Sequence, residues 1–265
     1  MNDLRVCLIQ GDTRWHDPAA NRGYYGELIR RHAPGADLVV LPETFTSGFS
    51  NEALASAEGM DGPTLPWLRE LAVATGAVIT GSMQCCTPDG TFNRLLWVEP
   101  SGTIRHYDKR HLFRMAGEHT RYTAGQERVT CELKGWRIRP LICYDLRFPV
   151  FIRNRYGHEV ADGMDYDLLL FVANWPAPRA HAWRTLLRAR AIENLSYCIG
   201  VNRCGIDGNG IAYVGDSAAL DFLGQPLVEC GATEVAVGVT LSAAALAEHR
   251  ARFPAHLDAD DFSLL

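Results

Sequence analysis

The sequence predicts one α/β domain, spanning residues 1–265, in which two stacked sheets are flanked by helices. The first observation behind this prediction is that short apolar runs, which suit buried strands, alternate with helical patterns along the chain. The second is the number of strand-like segments, about a dozen, which is more than one sheet of ordinary size contains. The third is that no repeat or linker-like stretch interrupts the 265 residues.

Strands and helices alternate in the first half of the chain. The Asp17-Pro18 pair and Pro63 are typical helix starts. The run Asp37–Leu41 is apolar throughout, as in a buried parallel strand, and Pro100-Ser101-Gly102 is a turn that predicts a hairpin. The predicted strands are Leu4–Ile9, Asp37–Leu41, Ala77–Cys85, Asn93–Glu99 and Thr103–Tyr107, and the predicted helices are Asn21–Arg31 and Pro63–Ala74.

The second half repeats this alternation and then changes to short strands separated by glycine turns between Gly210 and Thr240. A last helix is predicted at the end of the chain. The other elements predicted in this half are the strands Trp136–Cys143, Tyr166–Ala173 and Ser196–Asn202 and the helices Phe148–Arg155, Ala180–Asn194 and Ala243–Arg252.

Composition and charge exclude several classes of protein. A net charge of -5, from 26 Lys+Arg against 31 Asp+Glu, is not that of a nucleic-acid binder. No apolar run approaches the roughly 18 residues that a membrane span needs, and the N-terminus does not resemble a signal peptide. The eight cysteines form no Cys-x-x-Cys pair. We therefore expect a cytoplasmic protein with reduced thiols and no metal site.

Three chemically capable residues each follow directly on an apolar run: Glu43, Lys109 and Cys143. Ligands of open α/β sheets bind at the carboxyl ends of strands, so these side chains can converge on one cleft. Taken singly, the three are commonly a loop carboxylate, an exposed lysine and a buried thiol. Their combination predicts a site, because a carboxylate can take the proton of a thiol and a lysine can stabilise both the thiolate and an oxyanion.

These groups together are able to perform acyl transfer at a planar carbon. In the predicted reaction Cys143 attacks, ammonia leaves, and water hydrolyses the thioester. Tyr144 follows the nucleophile at a strand-to-helix turn, so its backbone N–H is the predicted second donor to the oxyanion.

At this point the sequence resembles the nitrilase superfamily of carbon–nitrogen hydrolases. The similarity runs through most of the chain and is carried by Leu41-Pro42-Glu43, the segment Asp108–Phe113 and the segment Cys143–Pro149. It implies a four-layer αββα sandwich, a site without a cofactor, and a homodimer or higher oligomer. It also implies that Glu43 is the general base, Lys109 the oxyanion stabiliser and Cys143 the nucleophile, with Glu118 as a second glutamate that orients the lysine and the substrate.

The residues after the nucleophile favour an amide over a nitrile. True nitrilases typically have Trp-Glu after the cysteine, whereas this chain has Tyr144-Asp145. Together with Ala173-Asn174-Trp175-Pro176, this context looks most like the omega-amidases, which hydrolyse 2-oxoglutaramate or 2-oxosuccinamate. Three alternatives stay open: an amidase of N-carbamoyl amino acids or deamidated peptides, a true nitrilase, and a catalytically silent scaffold.

An anionic substrate is expected because arginines are frequent in the segments of the predicted cleft. Arg147 and Arg114 are the candidates for binding a carboxylate, although Arg147 can instead form an ion pair with Asp145. Trp175 and Phe45 are expected to line an apolar slot or, alternatively, to be ordinary core residues. The five arginines of these segments are Arg110, Arg114, Arg121, Arg147 and Arg179.

Overall fold

The computed structural model describes residues 1–161 and 163–263. Its helices are α1 (Pro18–His32), α2 (Thr64–Thr75), α3 (Pro149–Ile152), α4 (Ala180–Glu193) and α5 (Ala243–Arg252). Its strands are β1 (Leu4–Gln10), β2 (Leu38–Val40), β3 (Val78–Thr87), β4 (Gly90–Val98), β5 (Ile104–Asp108), β6 (Cys131–Leu133), β7 (Trp136–Ile142), β8 (Leu168–Ala173), β9 (Tyr197–Asn202), β10 (Cys204–Ile206), β11 (Ala212–Val214), β12 (Ala218–Leu220), β13 (Pro226–Glu229) and β14 (Val235–Leu241).

Two six-stranded sheets form the centre of the molecule. The first has the order β14-β1-β2-β3-β4-β5 and the second the order β13-β12-β9-β8-β7-β6. Within the first sheet, β1, β2 and β3 are parallel, and within the second, β7, β8 and β9 are parallel. A separate hairpin, β10 with β11, completes the strands.

The side chains of β1 show why the two sheets stack. Val6 and Leu8 point into the core shared with the second sheet, while Cys7 and Ile9 point into the core under α1 and α2. Successive side chains of a strand face opposite sides, so a strand covered on both faces is apolar throughout. On the outer side of the second sheet, α4 contributes Trp183 to the core. The layers are therefore helix, sheet, sheet and helix, and the predicted αββα sandwich is confirmed.

Most predicted elements are present with their ends shifted by a few residues. The Asp17 side chain accepts a hydrogen bond from the backbone N–H of Ala20 at 2.9 Å, which caps α1 where the sequence predicts a helix start. The segment Gly210–Thr240 contains the short strands β11 to β14 as expected. Among the described residues no helix is long and apolar enough to cross a membrane.

The predicted helix Phe148–Arg155 is wrong in length, because α3 ends at Ile152. Asn154 explains the early end. Its backbone N–H donates to the side chain of Asn194 at 2.9 Å, and its side-chain amide donates to the backbone oxygen of Tyr166 at 2.9 Å. These tertiary hydrogen bonds replace the intrahelical ones that a longer helix would make.

Candidate active site

The three residues predicted from strand ends lie in one cleft. Glu43 follows β2, Lys109 follows β5 and Cys143 follows β7, and all three line the same cavity. The ammonium nitrogen of Lys109 lies 2.9 Å from Oε1 of Glu43. Both of these side chains are almost completely buried, whereas Cys143 is partly exposed to the cleft. The buried charges of Glu43 and Lys109 therefore form the floor of the cleft, and the thiol of Cys143 is the group that a ligand can reach.

Cys143 has a backbone conformation that ends its strand abruptly. The predicted strand Trp136–Cys143 stops at Ile142, and Cys143 has φ of 43°, in the left-handed region. This conformation costs a non-glycine residue about 1–2 kcal/mol, so the surrounding structure must hold it. The chain then enters a single 3-10 turn, Cys143–Arg147, that turns the sulfur into the cleft.

Asp145 holds this turn from within. Its carboxylate accepts hydrogen bonds from the backbone N–H of Ile142 at 3.0 Å and from the hydroxyl of Tyr107 at 2.8 Å. The Nδ1 atom of His111 lies 2.7 Å from the same carboxylate. The ion pair between Asp145 and Arg147 that the sequence left open does not form, and the guanidinium of Arg147 lies instead 4.9 Å from the centre of the Trp175 ring.

Glu118 completes the floor. Both of its carboxylate oxygens lie 3.1 Å from Nζ of Lys109, and one accepts the backbone N–H of Phe113 at 2.6 Å. Burial raises the pKa of Glu118 above its ordinary value, against the opposing charge of the lysine. Burial would lower the pKa of Lys109, but the carboxylates of Glu118 and Glu43 outweigh it and raise that pKa well above its ordinary value. Lys109 is thus held as an ammonium.

Two asparagines that the sequence did not identify as site residues position Glu43. The Asn93 side chain donates to Oε1 of Glu43 at 2.7 Å, and the backbone N–H of Asn174 donates to Oε2 at 2.7 Å. The Asn174 side chain also donates to the backbone oxygen of Glu43 at 2.6 Å. Asn174 follows β8 directly, the same placement that identified the other residues, whereas Asn93 lies within β4 and carries no such signal.

The surroundings of Cys143 favour the neutral form of its thiol. Burial raises its pKa well above the ordinary value, the Glu43 carboxylate raises it further, and the charge of Lys109 opposes both. The sulfur lies 3.9 Å from the backbone oxygen of Asn174. A thiol next to a buried carboxylate gains nucleophilicity by passing its proton to that carboxylate, so the pair functions together.

The walls of the cleft are largely aromatic and apolar. Two of the residues that the sequence predicted to bind the substrate, Trp175 and Arg147, line it, and so does Tyr144, whose backbone N–H is the predicted oxyanion donor. Two of the predicted substrate-binding residues do not. The residues that line the cleft are Glu43, Phe49, Lys109, Phe113, Ala116, Cys143, Tyr144, Arg147, Asn174, Trp175, Pro176, Arg179, Ile211 and Tyr213.

Phe45 and Arg114 are the two corrections. Phe45 is completely buried in the core between the first sheet and its helices, where its ring packs against those of Tyr25 and Trp67. The backbone N–H of Phe45 donates to the backbone oxygen of Ser82, which turns this residue inward. Arg114 is exposed in a 3-10 turn and does not line the cleft. Phe49 and Phe113 provide the aromatic surface expected from Phe45.

No group of three or more His, Cys, Asp or Glu side chains in residues 1–161 and 163–263 is arranged to hold a metal ion. In the segment after β10, an aspartate has a structural role. Asp207 accepts hydrogen bonds from the backbone N–H groups of Asn209 and Ile211, both at 2.9 Å, so its carboxylate closes a turn.

Known proteins share both the fold and the sequence of this chain. The sequence profile of the carbon-nitrogen hydrolases matches residues 5–250. The omega-amidase YafV of Escherichia coli (strain K12) is 48% identical over 265 residues, covering 100% of both chains. The 2-oxoglutaramate amidase of Bacillus subtilis (strain 168) is 31% identical over 252 residues, covering 94% of this chain and 95% of the relative.

A solved structure is closer still in sequence. XC1258 from Xanthomonas campestris, described as a CN-hydrolase superfamily protein with an arsenic adduct in the active site, is 63% identical. It superposes with a TM-score of 0.99, covering 100% of both chains. The resemblance inferred from the sequence motifs is confirmed, and this chain belongs to the carbon-nitrogen hydrolase family.

Proposed function

We propose that this protein is an omega-amidase, which hydrolyses the terminal amide of a short 2-oxo acid such as 2-oxoglutaramate or 2-oxosuccinamate and releases ammonia. The observation that carries the proposal is the partly exposed thiol of Cys143 above a buried floor of Glu43, Lys109 and Glu118. The names of the relatives support it, since YafV is an omega-amidase and the Bacillus subtilis relative a 2-oxoglutaramate amidase. The whole chain, residues 1–265, then serves as one catalytic domain.

In the first half-reaction Glu43 takes the proton of the Cys143 thiol while the sulfur attacks the amide carbon. The carbonyl oxygen becomes an oxyanion, which the ammonium of Lys109 and the backbone N–H of Tyr144 stabilise. Glu43 passes its proton to the amide nitrogen, the C–N bond breaks, and ammonia leaves a thioester on Cys143.

In the second half-reaction water hydrolyses the thioester. Glu43 takes a proton from the water molecule, whose oxygen attacks the carbonyl carbon. The C–S bond breaks, the proton returns from Glu43 to the sulfur, and the product leaves as a dicarboxylic acid. Glu118 keeps Lys109 directed at the reacting oxygen, and Asn93 and Asn174 keep the Glu43 carboxylate in place.

Ammonia release by the purified protein tests this proposal. The panel contains 2-oxoglutaramate, L-glutamine, N-carbamoyl-β-alanine and a simple aliphatic nitrile, each with the Cys143→Ala variant. Cys86→Ala is the matched control, because Cys86 is an exposed thiol outside the cleft. Turnover of 2-oxoglutaramate that Cys143→Ala abolishes and Cys86→Ala preserves is the expected result.

Other outcomes of the same panel select the alternatives. Release of carbon dioxide together with ammonia from N-carbamoyl-β-alanine identifies a carbamoylase, and turnover of the nitrile identifies a nitrilase. Silence on every substrate, together with equal labelling of all accessible thiols by iodoacetamide, identifies a scaffold protein. Turnover of 2-oxoglutaramate that survives Cys143→Ala refutes the assigned nucleophile.

We infer further that the protein acts in the cytoplasm as a homodimer or higher homo-oligomer. A thiol nucleophile stays reduced in that compartment, which supports this placement. The family resemblance supports the oligomer, as do exposed apolar side chains beside α5, which are Leu223, Phe253 and Leu257. Sedimentation velocity at micromolar concentration tests this inference, and a monomer would contradict it.

A further inference from the structure

Two arginines that line the cleft have guanidinium groups without a carboxylate partner. Arg147 and Arg179 lie on its wall, and in residues 1–161 and 163–263 neither guanidinium forms a hydrogen bond or an ion pair. Each is placed instead over an aromatic ring: Arg147 lies 4.9 Å from the centre of Trp175, and Arg179 lies 5.2 Å from that of Phe113. Stacking holds the plane of a guanidinium and leaves its N–H edge free to bind an anion.

Trp175 connects the two arginines. Its ring lies under the guanidinium of Arg147, and its indole N–H donates to the backbone oxygen of Arg179 at 2.8 Å. Its backbone N–H donates to the side chain of Asn202 at 2.7 Å, and only 3% of the residue is exposed. The buried indole therefore fixes the guanidinium of Arg147 by stacking and the backbone of Arg179 by a hydrogen bond, and such preorganisation favours binding.

The other arginines that the sequence placed near the cleft are directed elsewhere. Arg110 donates to the backbone oxygen of Gly125 and to the side chain of Gln126. Arg114 and Arg121 are exposed and do not line the cavity. Only two of the five candidates can thus meet a ligand that occupies this cleft.

The charge of the floor shows why an anionic substrate needs these cations. Glu43 and Glu118 are two carboxylates, and Lys109 is the one ammonium between them. A carboxylate on the substrate is repelled by this floor and attracted by the two guanidinium groups on the wall. The amide end of such a molecule is neutral, so it meets no such repulsion at the floor.

We propose that Arg147 and Arg179 together bind the carboxylate of the substrate, and that this pair sets the orientation in which the amide reaches Cys143. The inference rests on the proposed function and deepens it. It specifies the substrate class as short amides with a carboxylate at the other end, whose methylene groups meet the aromatic side chains that line the cleft. Arg179, from the 3-10 turn that precedes α4, is then a specificity-determining residue.

Paired substrates test this assignment. Glutaramate and pentanamide have the same five-carbon chain and the same terminal amide, but only glutaramate has a carboxylate. The variants are Arg147→Met, Arg179→Met and Arg179→Lys, with Arg121→Met as the exposed control. We expect each Met variant to lower kcat/KM for glutaramate and 2-oxoglutaramate by about ten- to a hundredfold, mainly through KM, and to leave pentanamide within about twofold. Arg179→Lys is expected to recover part of the loss.

The outcomes separate this inference from the proposed function. If the unmodified enzyme releases no ammonia from 2-oxoglutaramate, the proposed function fails whatever the arginines do. If it does release ammonia, and the Met variants lose glutaramate and pentanamide turnover equally, the arginines are structural and the inference is overturned. An effect of Arg121→Met as large as that of Arg179→Met also overturns it. Circular dichroism melting of every variant identifies any loss of activity that comes from unfolding.

Discussion

Replacing Glu118 by Gln removes one negative charge from the buried floor and keeps the shape of the side chain. Every hydrogen-bond partner of Glu118 is a donor. Nζ of Lys109 contacts both oxygens at 3.1 Å, the backbone N–H of Phe113 contacts one at 2.6 Å, and the side-chain amide of Asn93 contacts one at 3.5 Å. A glutamine has one accepting oxygen and a donating NH₂ group. Either orientation of the amide therefore directs a donor at the ammonium of Lys109.

The size of the effect follows from what Lys109 retains. A hydrogen bond to a charged group contributes about 1.5–3 kcal/mol, whereas a buried charge that loses its partner costs about 3–5 kcal/mol. Lys109 keeps Glu43 at 2.9 Å, so the smaller range applies. We expect the free energy of unfolding to fall by about 1–3 kcal/mol and kcat to fall by about ten- to a hundredfold, because the lysine is no longer held toward the reacting oxygen.

Steady-state ammonia release at saturating 2-oxoglutaramate measures kcat, and urea unfolding measures stability. Glu52→Gln is the matched control, since Glu52 is an exposed carboxylate that lies outside the floor. Unchanged kcat and unchanged stability in Glu118→Gln would refute the reasoning. That result would mean that Glu118 is neutral in the working enzyme, so that its charge is not what holds Lys109.

Three further predictions concern the thiol, a close backbone approach and an ion pair. Since burial raises the pKa of Cys143, the rate of inactivation by iodoacetamide should still increase as the pH rises beyond about 9. A rate that reaches its plateau near pH 7 would contradict this. A Cβ at Gly125 would lie 2.1 Å from the backbone oxygen of the residue before Lys109. Gly125→Ala should therefore lower the free energy of unfolding by about 1–3 kcal/mol and lower kcat. An unchanged kcat would argue against that contact. Burial alone would raise the pKa of Asp167, but its hydrogen bonds from Arg137 and nearby guanidinium charges lower it. Its stabilising contribution is thus present above an unfolded pKa of about 3.9 and lost as pH falls through the lower folded value. Asp167→Asn should reduce the free energy of unfolding at pH 7 by about 3–5 kcal/mol and flatten the decline of that free energy in acid, as urea titrations at several pH values will show.

Local patterns were sufficient for the elements whose stability is local or whose two faces are both covered. The apolar run before Glu43 predicts a buried strand, and β2 is buried at every position. The capping residue before α1 is visible in the sequence and forms its hydrogen bond in the structure. The helix after Phe148 was predicted too long because Asn154 ends it through hydrogen bonds to residues 12 and 40 positions away, and no local pattern records such partners.

The groups that we propose to be catalytic were visible in the sequence for a different reason. Glu43, Lys109 and Cys143 each follow an apolar run. Each placement is ordinary when taken singly, so it was the combination of the three that was informative. Asn93 could not be identified in this way. Nothing in the sequence distinguishes an asparagine in a strand that faces a buried carboxylate from an asparagine that faces water. Phe45 was misplaced for a similar reason, since an aromatic residue beside a base packs equally well into a slot or into the core.

The sequence by itself determined the fold class and, through its motifs, the family, and it predicted three groups for the chemistry. Strand periodicity, short motifs and residue type at strand ends are all local properties. The tertiary structure alone decided which side chains surround those groups. It placed Asn93 and Asn174 on the Glu43 carboxylate and buried Phe45. It also selected Arg147 and Arg179 from five candidate arginines. The physical reason is that hydrogen bonding, stacking and charge repulsion depend on distances of a few ångströms between residues far apart in the chain, and these distances exist only once both sheets have packed.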